Sequence, residues 1–574
     1  MRGKRILSLI LITATALCCF SCGDTTPEET GDPLDKYAEV PVVYEKKQAE
    51  YEDEGINLWF DHSFSKTPKG ETASTGRDTY KLYMAKNEIE DCQFFLTSSE
   101  TKSVSLRVTD FTNGSGMTVP AKLYSEYYFA MPYDGDTDAE VPDAIPPVKA
   151  GETFALGPNA SAGFVLQAKS AETTPAGEYT ATLDVLDEEG RQIKTATVFL
   201  KIWNFALSES TECRTAMWID RNNLAGMTYE DIYDYLLENR VNAYDLPYAL
   251  SDSRVDAYLD NPRVNSFNIL GFKFNKESGK SEAQIKSAMR AAYEKLSPKQ
   301  EWNKKGYFYL VDEPNPTEIY KLEWIREYGE WLEECYPGYR QLSPFFTDDY
   351  YDQERDWIEY MRPYINIWVP KTYAYTTLRQ YGNIPNARCL YKEGFESLLD
   401  KQFGSYPDRI EKMKKEDGAE AWWYVTSQPT DPYITLNTTE PGVAYRNLFW
   451  QQKMNDVTGF LYWSVNYWSG DGWNACENEW TQGAGSTYGN GQLIYPGTKV
   501  GQSTPVGSLR LEAIRDGIED YQVLTMLEAE IGTQAVKEFI NRITTHVAVW
   551  EKDDDTFAGE RIRLGNYLEA LLAG

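Results

Sequence analysis

Short segments in which hydrophobic and polar residues alternate run from about residue 44 to residue 206. Residues 80–83, 92–96 and 178–185 show this alternation, and glycine, proline or asparagine separates such segments from one another. Alternation with a period of two predicts strands with one buried face, and many short strands are typical of an antiparallel sandwich. We therefore predict an antiparallel β-sandwich domain at residues 44–207.

From residue 208 onward, apolar strand-like segments alternate with amphipathic stretches of helical period. Residues 229–239, 281–296 and 317–335 are such helical stretches. This rhythm predicts a (β/α)8 TIM-type barrel over residues 208–574, with a long loop after strand eight and C-terminal helices. The predicted strands are residues 214–220, 241–247, 266–274, 306–314, 341–347, 365–370, 421–426 and 459–465.

The fourth predicted barrel strand ends in two adjacent carboxylates. Its aromatic and branched residues favour a buried strand, and Pro314 cannot continue a hydrogen-bonded ladder. Enzymes built on α/β barrels carry their catalytic residues where the strands end. Asp312 and Glu313 are therefore our candidate catalytic residues, although the dipeptide alone is equally compatible with an exposed acidic strand end.

The charge and the aromatic content of the chain restrict its partners. Lys and Arg number 57 against 88 Asp and Glu, which gives a formal net charge of −31. This charge argues against nucleic acid and anionic membrane surfaces as partners, and a neutral ligand fits better. Aromatic residues make up 14% of the chain, and flat rings stack on the apolar faces of sugars. Most of these rings must form the core, so only those near strand ends support a glycan substrate.

The first 22 residues resemble the signal peptide of a bacterial lipoprotein. A basic start precedes an apolar stretch of signal-peptide length, which is too short to serve comfortably as a membrane-spanning helix. Cys22 is the candidate lipidated residue, with Cys18 and Cys19 as alternatives, and residues 23–43 are predicted to be a flexible tether. We expect an exported outer-membrane lipoprotein, on the cell surface or the periplasmic face, that meets the membrane only through this anchor.

Cysteine and histidine offer no pattern for metal or redox chemistry. With only His62 and His546 present, a histidine-based zinc site or a Ser-His triad is hard to build, and we predict no metal and no cofactor. The cysteines outside the leader lie at long spacings, at Cys92, Cys213, Cys335, Cys389 and Cys476.

An adjacent pair of carboxylates suits one kind of glycoside hydrolysis. Ordinary retaining glycosidases hold two carboxyl groups about 5 Å apart, commonly from different strands. The end of predicted strand seven, residues 426–429, supplies no carboxylate. In substrate-assisted cleavage the 2-acetamido oxygen of the sugar is the nucleophile. Asp312 would then stabilise the acetamido group, and Glu313, with a raised pKa, would protonate the leaving oxygen.

Several segments together resemble glycoside hydrolase family 123 and its uncharacterised relatives. This resemblance implies a β-N-acetylgalactosaminidase that retains configuration and acts by substrate assistance, with Asp312 as the acetamido stabiliser and Glu313 as the general acid/base. It covers most of the chain after the leader. The segments that carry it are residues 86–93, 308–314, 459–468, 493–497 and 510–521.

Further candidate site residues lie at or just beyond predicted strand ends. Asp348 and Asp349 could bind sugar hydroxyls, although a solvated turn is the simpler interpretation. Charged residues at helical spacing in 510–520 are expected to brace the last helix by ion pairs. The substrate-binding candidates are Trp368, Tyr373, Trp423, Tyr424, Tyr462, Asn466, Tyr467, Trp468 and Trp473, and the bracing residues are Arg510, Arg515, Asp516, Glu519 and Asp520.

Two other functions stay open at this point. A glycan-binding surface lipoprotein could retain the aromatic mouth of the barrel without catalysis. A glycosidase that acts on a sugar with no acetamido group would need a second carboxylate about 5 Å from Glu313, for which Asp348 and Asp431 are the candidates. The sequence leaves open galacto against gluco configuration, exo against endo action and the oligomeric state.

Overall fold

The structure is a computed structural model, and parts of the chain lie outside the residues that it describes. The predicted signal peptide with Cys22, most of the predicted tether, and Asp348, Asp349, Cys389 and Cys476 lie outside them. None of the helices in the described part is long and apolar enough to cross a membrane. The described residues are 32–39, 55–70, 76–158, 160–345, 356–377, 380, 383–388, 405–468, 473, 480–481 and 486–574.

Two β-sheets between residues 56 and 206 share one hydrophobic core. Leu58, Phe94, Phe164 and Leu183 are buried between them, and the Phe94 and Phe164 rings stack with centroids 5.1 Å apart. The strands of this region are Ile56–His62 (β1), Tyr80–Lys86 (β2), Ile89–Ser98 (β3), Lys102–Val108 (β4), Phe111–Thr112 (β5), Thr118–Val119 (β6), Ala121–Ser125 (β7), Tyr127–Tyr133 (β8), Asp136–Ile145 (β9), Thr153–Leu156 (β10), Ala162–Lys169 (β11), Gly177–Leu186 (β12) and Gln192–Ala206 (β13).

The strand order of the two sheets is β1-β3-β11-β7 and β10-β4-β12-β13-β2. Their pairings are antiparallel except for β13 and β2, which run parallel with Val198 opposite Tyr80. Hairpin β8–β9 leaves the sandwich and pairs with Gly507–Ser508, which lies far along the chain. This pairing ties the N-terminal sheets to the segment that precedes the longest helix.

Seven parallel strands form the second half of the fold, in the order β14-β20-β19-β18-β17-β16-β15. The two edge strands are joined through residues 243–244, because Ala243 bridges Met217 and the carbonyl oxygen of Tyr244 accepts the Asn268 amide at 2.7 Å. The sheet is therefore a nearly closed barrel. Its strands are Arg214–Met217 (β14), Phe267–Asn268 (β15), Gly306–Tyr309 (β16), Gln341–Phe345 (β17), Ile367–Pro370 (β18), Glu420–Val425 (β19) and Gly459–Tyr462 (β20).

The predicted (β/α)8 barrel is wrong, because the described residues give seven parallel strands within a mostly β architecture. Predicted strand 241–247 contributes a single bridge, and predicted strand 266–274 shortens to two residues. Asparagine side chains explain both differences. Asn242 accepts from the Asn265 amide at 3.1 Å, and Asn268 accepts from the Tyr309 amide at 3.1 Å. Such side-chain bonds compete with a regular ladder.

The helices that follow the barrel strands differ widely in length. The helices of the described part are Tyr229–Glu238 (α1), Val255–Asp260 (α2), Glu282–Leu296 (α3), Gln300–Asn303 (α4), Ile319–Cys335 (α5), Trp357–Met361 (α6), Tyr406–Asp417 (α7), Val443–Met454 (α8), Leu509–Ile531 (α9), Thr533–Ile540 (α10) and Asp554–Ala573 (α11). Short strands complete the fold at Trp480–Thr481 (β21), Ser486–Thr487 (β22), Gly507–Ser508 (β23), Thr544–His546 (β24) and Val549–Trp550 (β25). The described residues from Tyr37 onward belong to one compact unit.

Helix α9 is almost fully buried, although it carries many charged residues. Arg446 of α8 donates to both oxygens of Asp520 at 2.7 and 2.9 Å, and to Glu90 of β3 at 3.1 and 3.2 Å. Arg561 of α11 donates to Asp520 and, at 2.6 Å, to Glu88. Burial alone would raise the pKa of Asp520, but the two arginines hold it below its usual value. The charges of α9 therefore join it to the N-terminal sheets.

The other predicted bracing residues of α9 are buried in the same way. Arg515 donates to Asp91 at 3.1 Å, and Glu519 accepts from Arg240 at 2.8 Å. Arg510 makes a bidentate pair with Asp143 of β9 at 2.7 and 2.8 Å. The ion pairs expected from helical spacing are present, but they reach the sandwich as well as the helices around the barrel.

Replacing Arg446 with methionine should destabilise the fold by about 3–5 kcal/mol, because it leaves Glu90 and Asp520 buried without their partner. The free energy of unfolding from urea denaturation measures the loss. Arg326→Met is the matched control. Arg326 pairs with Glu330 on the exposed side of α5 at 2.9 Å, and its loss should cost less than about 1 kcal/mol. Equal losses for the two variants would contradict a structural role for the buried charges.

Candidate active site

A cavity of about 450 Å³ opens where the parallel strands end. The barrel interior beneath it is packed with large side chains from alternate positions, including Tyr307, Tyr309, Trp422 and Tyr424. Polar groups and aromatic rings share the wall, as is common in ligand sites. The lining residues are Trp218, Tyr244, Phe272, Lys273, Tyr309, Asp312, Glu313, Pro344, Lys371, Tyr424, Thr426, Ser427, Leu461, Trp463 and Asn490.

Asp312 and Glu313 lie just beyond the end of β16, and both line the cavity. Asn275 fixes the intervening segment by donating to the Leu310 carbonyl at 3.0 Å. Glu313 adopts a φ of +42°, which is uncommon for a side chain of this size, and Pro314 follows it. Backbone strain of this kind is concentrated at functional sites. The turn allows two neighbouring side chains to enter one cavity.

The carboxylate of Asp312 accepts a hydrogen bond from the hydroxyl of Tyr309 at 2.6 Å. Asp312 keeps solvent-exposed surface on the cavity side, while surrounding protein atoms crowd its other sides. This burial raises the pKa of Asp312, and the Tyr309 hydrogen bond, Lys321 and Lys273 oppose the rise. The hydrogen bond therefore favours the ionised form of Asp312.

Glu313 has a matching partner on the opposite side of the barrel. The hydroxyl of Tyr424, from β19, donates to Oε1 of Glu313 at 2.5 Å. Burial raises the pKa of Glu313, and the neighbouring charge of Asp312 raises it further, whereas Tyr424 and Lys371 lower it. Burial also lowers the pKa of Lys371 to about 8, against the opposing effect of Glu313.

The two carboxyl groups line the same cavity, and the charge of Asp312 raises the pKa of Glu313. Because two neighbouring carboxylates resist ionising together, the pair can hold one proton while one member stays charged. Such a pair can protonate a leaving group and stabilise positive charge at the same time. Among the described residues, no group of three or more His, Cys, Asp or Glu could hold a metal ion.

Tyr424 lines the cavity, whereas three other aromatic residues predicted to bind substrate do not. Trp368, Trp423 and Tyr462 occupy the alternate strand positions whose side chains do not line the cavity. The Trp368 ring packs edge-on against Phe345, with centroids 5.9 Å apart. The Trp423 ring packs edge-on against Tyr375, and the Tyr462 hydroxyl accepts from the Gly491 amide at 2.8 Å.

The remaining predicted residues support loops near the cavity. Asn466 accepts from the Asp220 amide at 2.8 Å and donates to the carbonyls of Asp220 and Asn223. The Trp468 and Trp473 indoles donate to backbone carbonyls of Ile494 and Pro496. Tyr373 lies beneath the guanidinium of Arg388, and the half-exposed Tyr467 packs against Trp463. None of these five lines the cavity.

Several lining residues were absent from the sequence-based list, including Trp218, Tyr244, Lys273, Tyr309 and Lys371. Four of them lie within predicted strands, and Lys371 directly follows one. The available signal was the alternation of inward-facing and outward-facing residues along each strand. Once a residue on a strand is known to face inward, its neighbours at even spacing share that face. Tyr309 shares the inward face of its strand with Tyr307, two residues earlier, and could have been found in this way.

The resemblance to family 123 is confirmed by the comparisons with known proteins. Residues 380–527 match the glycoside hydrolase 123 catalytic domain, a range that includes Tyr424 and Trp463 but not the acid pair. A family 123 glycoside hydrolase from Clostridium perfringens, studied for glycolipid glycan hydrolysis, has a similar fold. Its identity is 13% and its TM-score 0.60, over 90% of this chain and 99% of that chain.

Two smaller proteins align with part of the chain only. The N-terminal domain of PorA is 10% identical, over 26% of this chain and 100% of its own length, with a TM-score of 0.16. MyfA from Yersinia enterocolitica is 12% identical, over 25% of this chain and 95% of its own length, with a TM-score of 0.13. Such scores support no shared fold. No curated protein sequence matches the chain.

Replacing Glu313 with glutamine should stabilise the fold at about pH 8 but not at about pH 4. Its pKa is raised in the folded protein, so the folded state binds more protons than the unfolded state, and stability falls as pH rises through the raised value. Glutamine removes this loss. Thermal unfolding at both pH values measures the difference. An equal effect of Glu313→Gln at both pH values would contradict the raised pKa.

Proposed function

On the premise that the chain is a homologue of the family 123 glycoside hydrolases, we propose that it removes terminal β-linked N-acetylgalactosamine, or a related N-acetylhexosamine, from glycans with retention of configuration. The observation that carries this proposal is the pairing of each cavity carboxyl group with its own tyrosine, Asp312 with Tyr309 and Glu313 with Tyr424. The two carboxyl groups are therefore held in different environments within one cavity.

The proposed reaction has two steps. In the first, the acetamido oxygen of the substrate attacks the anomeric carbon while Glu313 donates its proton to the departing glycosidic oxygen. Ionised Asp312 accepts the acetamido N–H and stabilises the positive charge that develops on the resulting oxazolinium ring. In the second, Glu313 removes a proton from water, which attacks the anomeric carbon and restores the acetamido group. Two inversions give net retention.

The surroundings of the pair favour this assignment of roles. Lys321 and Lys273 join Tyr309 in lowering the pKa of Asp312, while the charge of Asp312 raises the pKa of Glu313. Asp312 is thus the member suited to stay ionised, and Glu313 the member suited to carry the proton. A cavity of this volume falls within the usual range for small ligands, which suits a terminal sugar.

A conventional double displacement finds less support. Asp312 and Glu313 are the carboxylates among the described residues that line the cavity. Asp431, the alternative nucleophile within the described part, is exposed and pairs with Lys552 at 3.1 Å. Because the described residues place no other carboxylate in the cavity, we assign the role of nucleophile to the acetamido group of the substrate.

Asp312→Asn and Glu313→Gln should each lower kcat on 4-nitrophenyl N-acetyl-β-galactosaminide by about 10²–10⁴-fold. Departure of a 2,4-dinitrophenyl group needs little protonation, so Glu313→Gln should retain more activity on that substrate, whereas Asp312→Asn should not. Steady-state kinetics on both substrates separates the two roles. Turnover of 4-nitrophenyl β-galactoside, which has no acetamido group, would contradict substrate assistance.

The two tyrosines should control opposite limbs of the pH profile. Tyr309→Phe removes a hydrogen bond that favours ionised Asp312, so the acid limb of kcat/KM should move to higher pH. Tyr424→Phe removes the hydrogen bond that favours ionised Glu313. The pKa of Glu313 should then rise, and the alkaline limb of kcat/KM should move to higher pH. Profiles of the two variants measured side by side test the assignment, and a shift of the same limb in both would contradict it.

A further inference from the structure

The cavity differs in charge from the chain around it. The whole chain has a net charge of −31, yet the charged residues that line the cavity are two lysines and two acids, Lys273, Lys371, Asp312 and Glu313. When Glu313 carries its proton, the lining holds two cations and one anion. The local field of the cavity can then attract a negative group that the average field of the protein repels.

Lys371 is already engaged with the acid pair. Its ammonium lies 5.7 Å from the ring centroid of Tyr424, whose hydroxyl donates to Glu313. Its charge lowers the pKa of Glu313, and its backbone bridges that of Tyr424. Lys371 therefore belongs to the surroundings of the general acid.

Lys273 is differently placed. Its ammonium lies 5.3 Å from the ring centroid of Trp218 and 5.7 Å from that of Phe272, and both rings line the cavity. It makes no hydrogen bond or salt bridge with the residues that the structure describes. Lys321, the other lysine that lowers the pKa of Asp312, is paired with Glu318 at 3.1 Å. Lys273 is thus a cavity cation whose three N–H donors are available.

The backbone at Lys273 is strained. Its φ is +67°, a conformation that glycine or asparagine adopts more readily than lysine, and Gly271 has a φ of +82° two residues earlier. The turn ends the short strand β15 and directs residues 272 and 273 to the cavity. A lysine kept in a left-handed conformation at a cavity wall indicates a function for its side chain.

We propose that Lys273 binds an anionic substituent, a sulfate ester or a carboxylate, on the cleaved hexosamine or on the sugar next to it. This inference rests on the proposed function and narrows its substrate class. An ammonium group pairs with either oxyanion as a compact charge, and the adjacent Trp218 ring offers a face for the sugar that carries it. The expectation of a neutral ligand from net charge then applies to the protein surface and not to the cavity.

The first experiment compares substrates that differ only in this charge. The sulfate arm uses 4-nitrophenyl N-acetyl-β-galactosaminide with its 4-sulfate and 6-sulfate, and the carboxylate arm uses N-acetyl-β-galactosaminyl-(1→4)-glucuronic acid with its glucose counterpart. We expect kcat/KM to favour at least one anionic substrate by about tenfold or more over its neutral counterpart. The preference should shrink as salt increases, and the arm that shows it identifies the source of the charge.

Three variants locate the preference. Lys273→Gln should lower the ratio of anionic to neutral kcat/KM by about tenfold, mainly through KM, and Lys273→Arg should keep the ratio within about threefold. Lys321→Gln is the matched control, because Lys321 also lowers the pKa of Asp312 but does not line the cavity. Its ratio should equal that of the unaltered protein. If Lys273→Gln lowers both values equally and leaves the ratio unchanged, Lys273 only supports Asp312 and the inference is overturned.

The outcomes separate this inference from the proposed function. Cleavage of the neutral substrates without any anionic preference overturns the inference alone. No cleavage of any N-acetylhexosaminide by folded protein overturns the proposed function. In that case, titration calorimetry with N-acetylgalactosamine and its 4-sulfate and 6-sulfate decides the inference. Tighter binding of a sulfated sugar that is lost in Lys273→Gln supports it, and equal binding of all three sugars overturns it.

Discussion

The rest of the structure depends on the charges buried between helix α9 and the N-terminal sheets. Arg446 joins Asp520 of α9 to Glu90 of the sandwich, and Arg561 joins the same aspartate to Glu88. Breaking a buried pair leaves an unpaired charge, which costs far more than losing an exposed pair. Two segments more than 400 residues apart, 86–93 and 510–521, therefore constrain each other. Their joint presence in the family resemblance has a physical explanation, because acids of both segments share the arginines Arg446 and Arg561, and Arg515 pairs directly with Asp91.

A buried ion pair of α9 also fixes part of the cavity. Arg510 is paired with Asp143 of the β8–β9 hairpin and also donates to the carbonyls of Leu436 and Gly489, at 2.7 and 2.8 Å. The next residue, Asn490, lines the cavity and accepts from the Trp463 indole at 2.9 Å. The β8–β9 hairpin thus contributes to the site indirectly, by fixing one wall of the cavity through a buried ion pair.

Burial acts differently on the acid pair than on the paired charges of α9. Burial disfavours ionisation of both Asp312 and Glu313, and the charge of Asp312 disfavours that of Glu313 further, while tyrosine hydroxyls and lysines compensate. The left-handed turn at Glu313 adds backbone strain. The fold tolerates these costs because its stability comes from elsewhere, in the large sandwich core and the paired charges of α9.

The sequence by itself determined the local features: the alternating strands of the first half, the strand and helix rhythm of the second, and the two adjacent acids before Pro314. It did not determine the number of barrel strands, since Asn242 and Asn268 use side-chain hydrogen bonds where a regular ladder was expected. Nor did it separate Tyr424, which faces the cavity, from Trp423, which does not. Alternation shows that neighbours face opposite sides, but only tertiary packing decides which side is the interior. The cavity gathers residues from Trp218 to Asn490, and such long-range proximity is decided by the closure of the barrel.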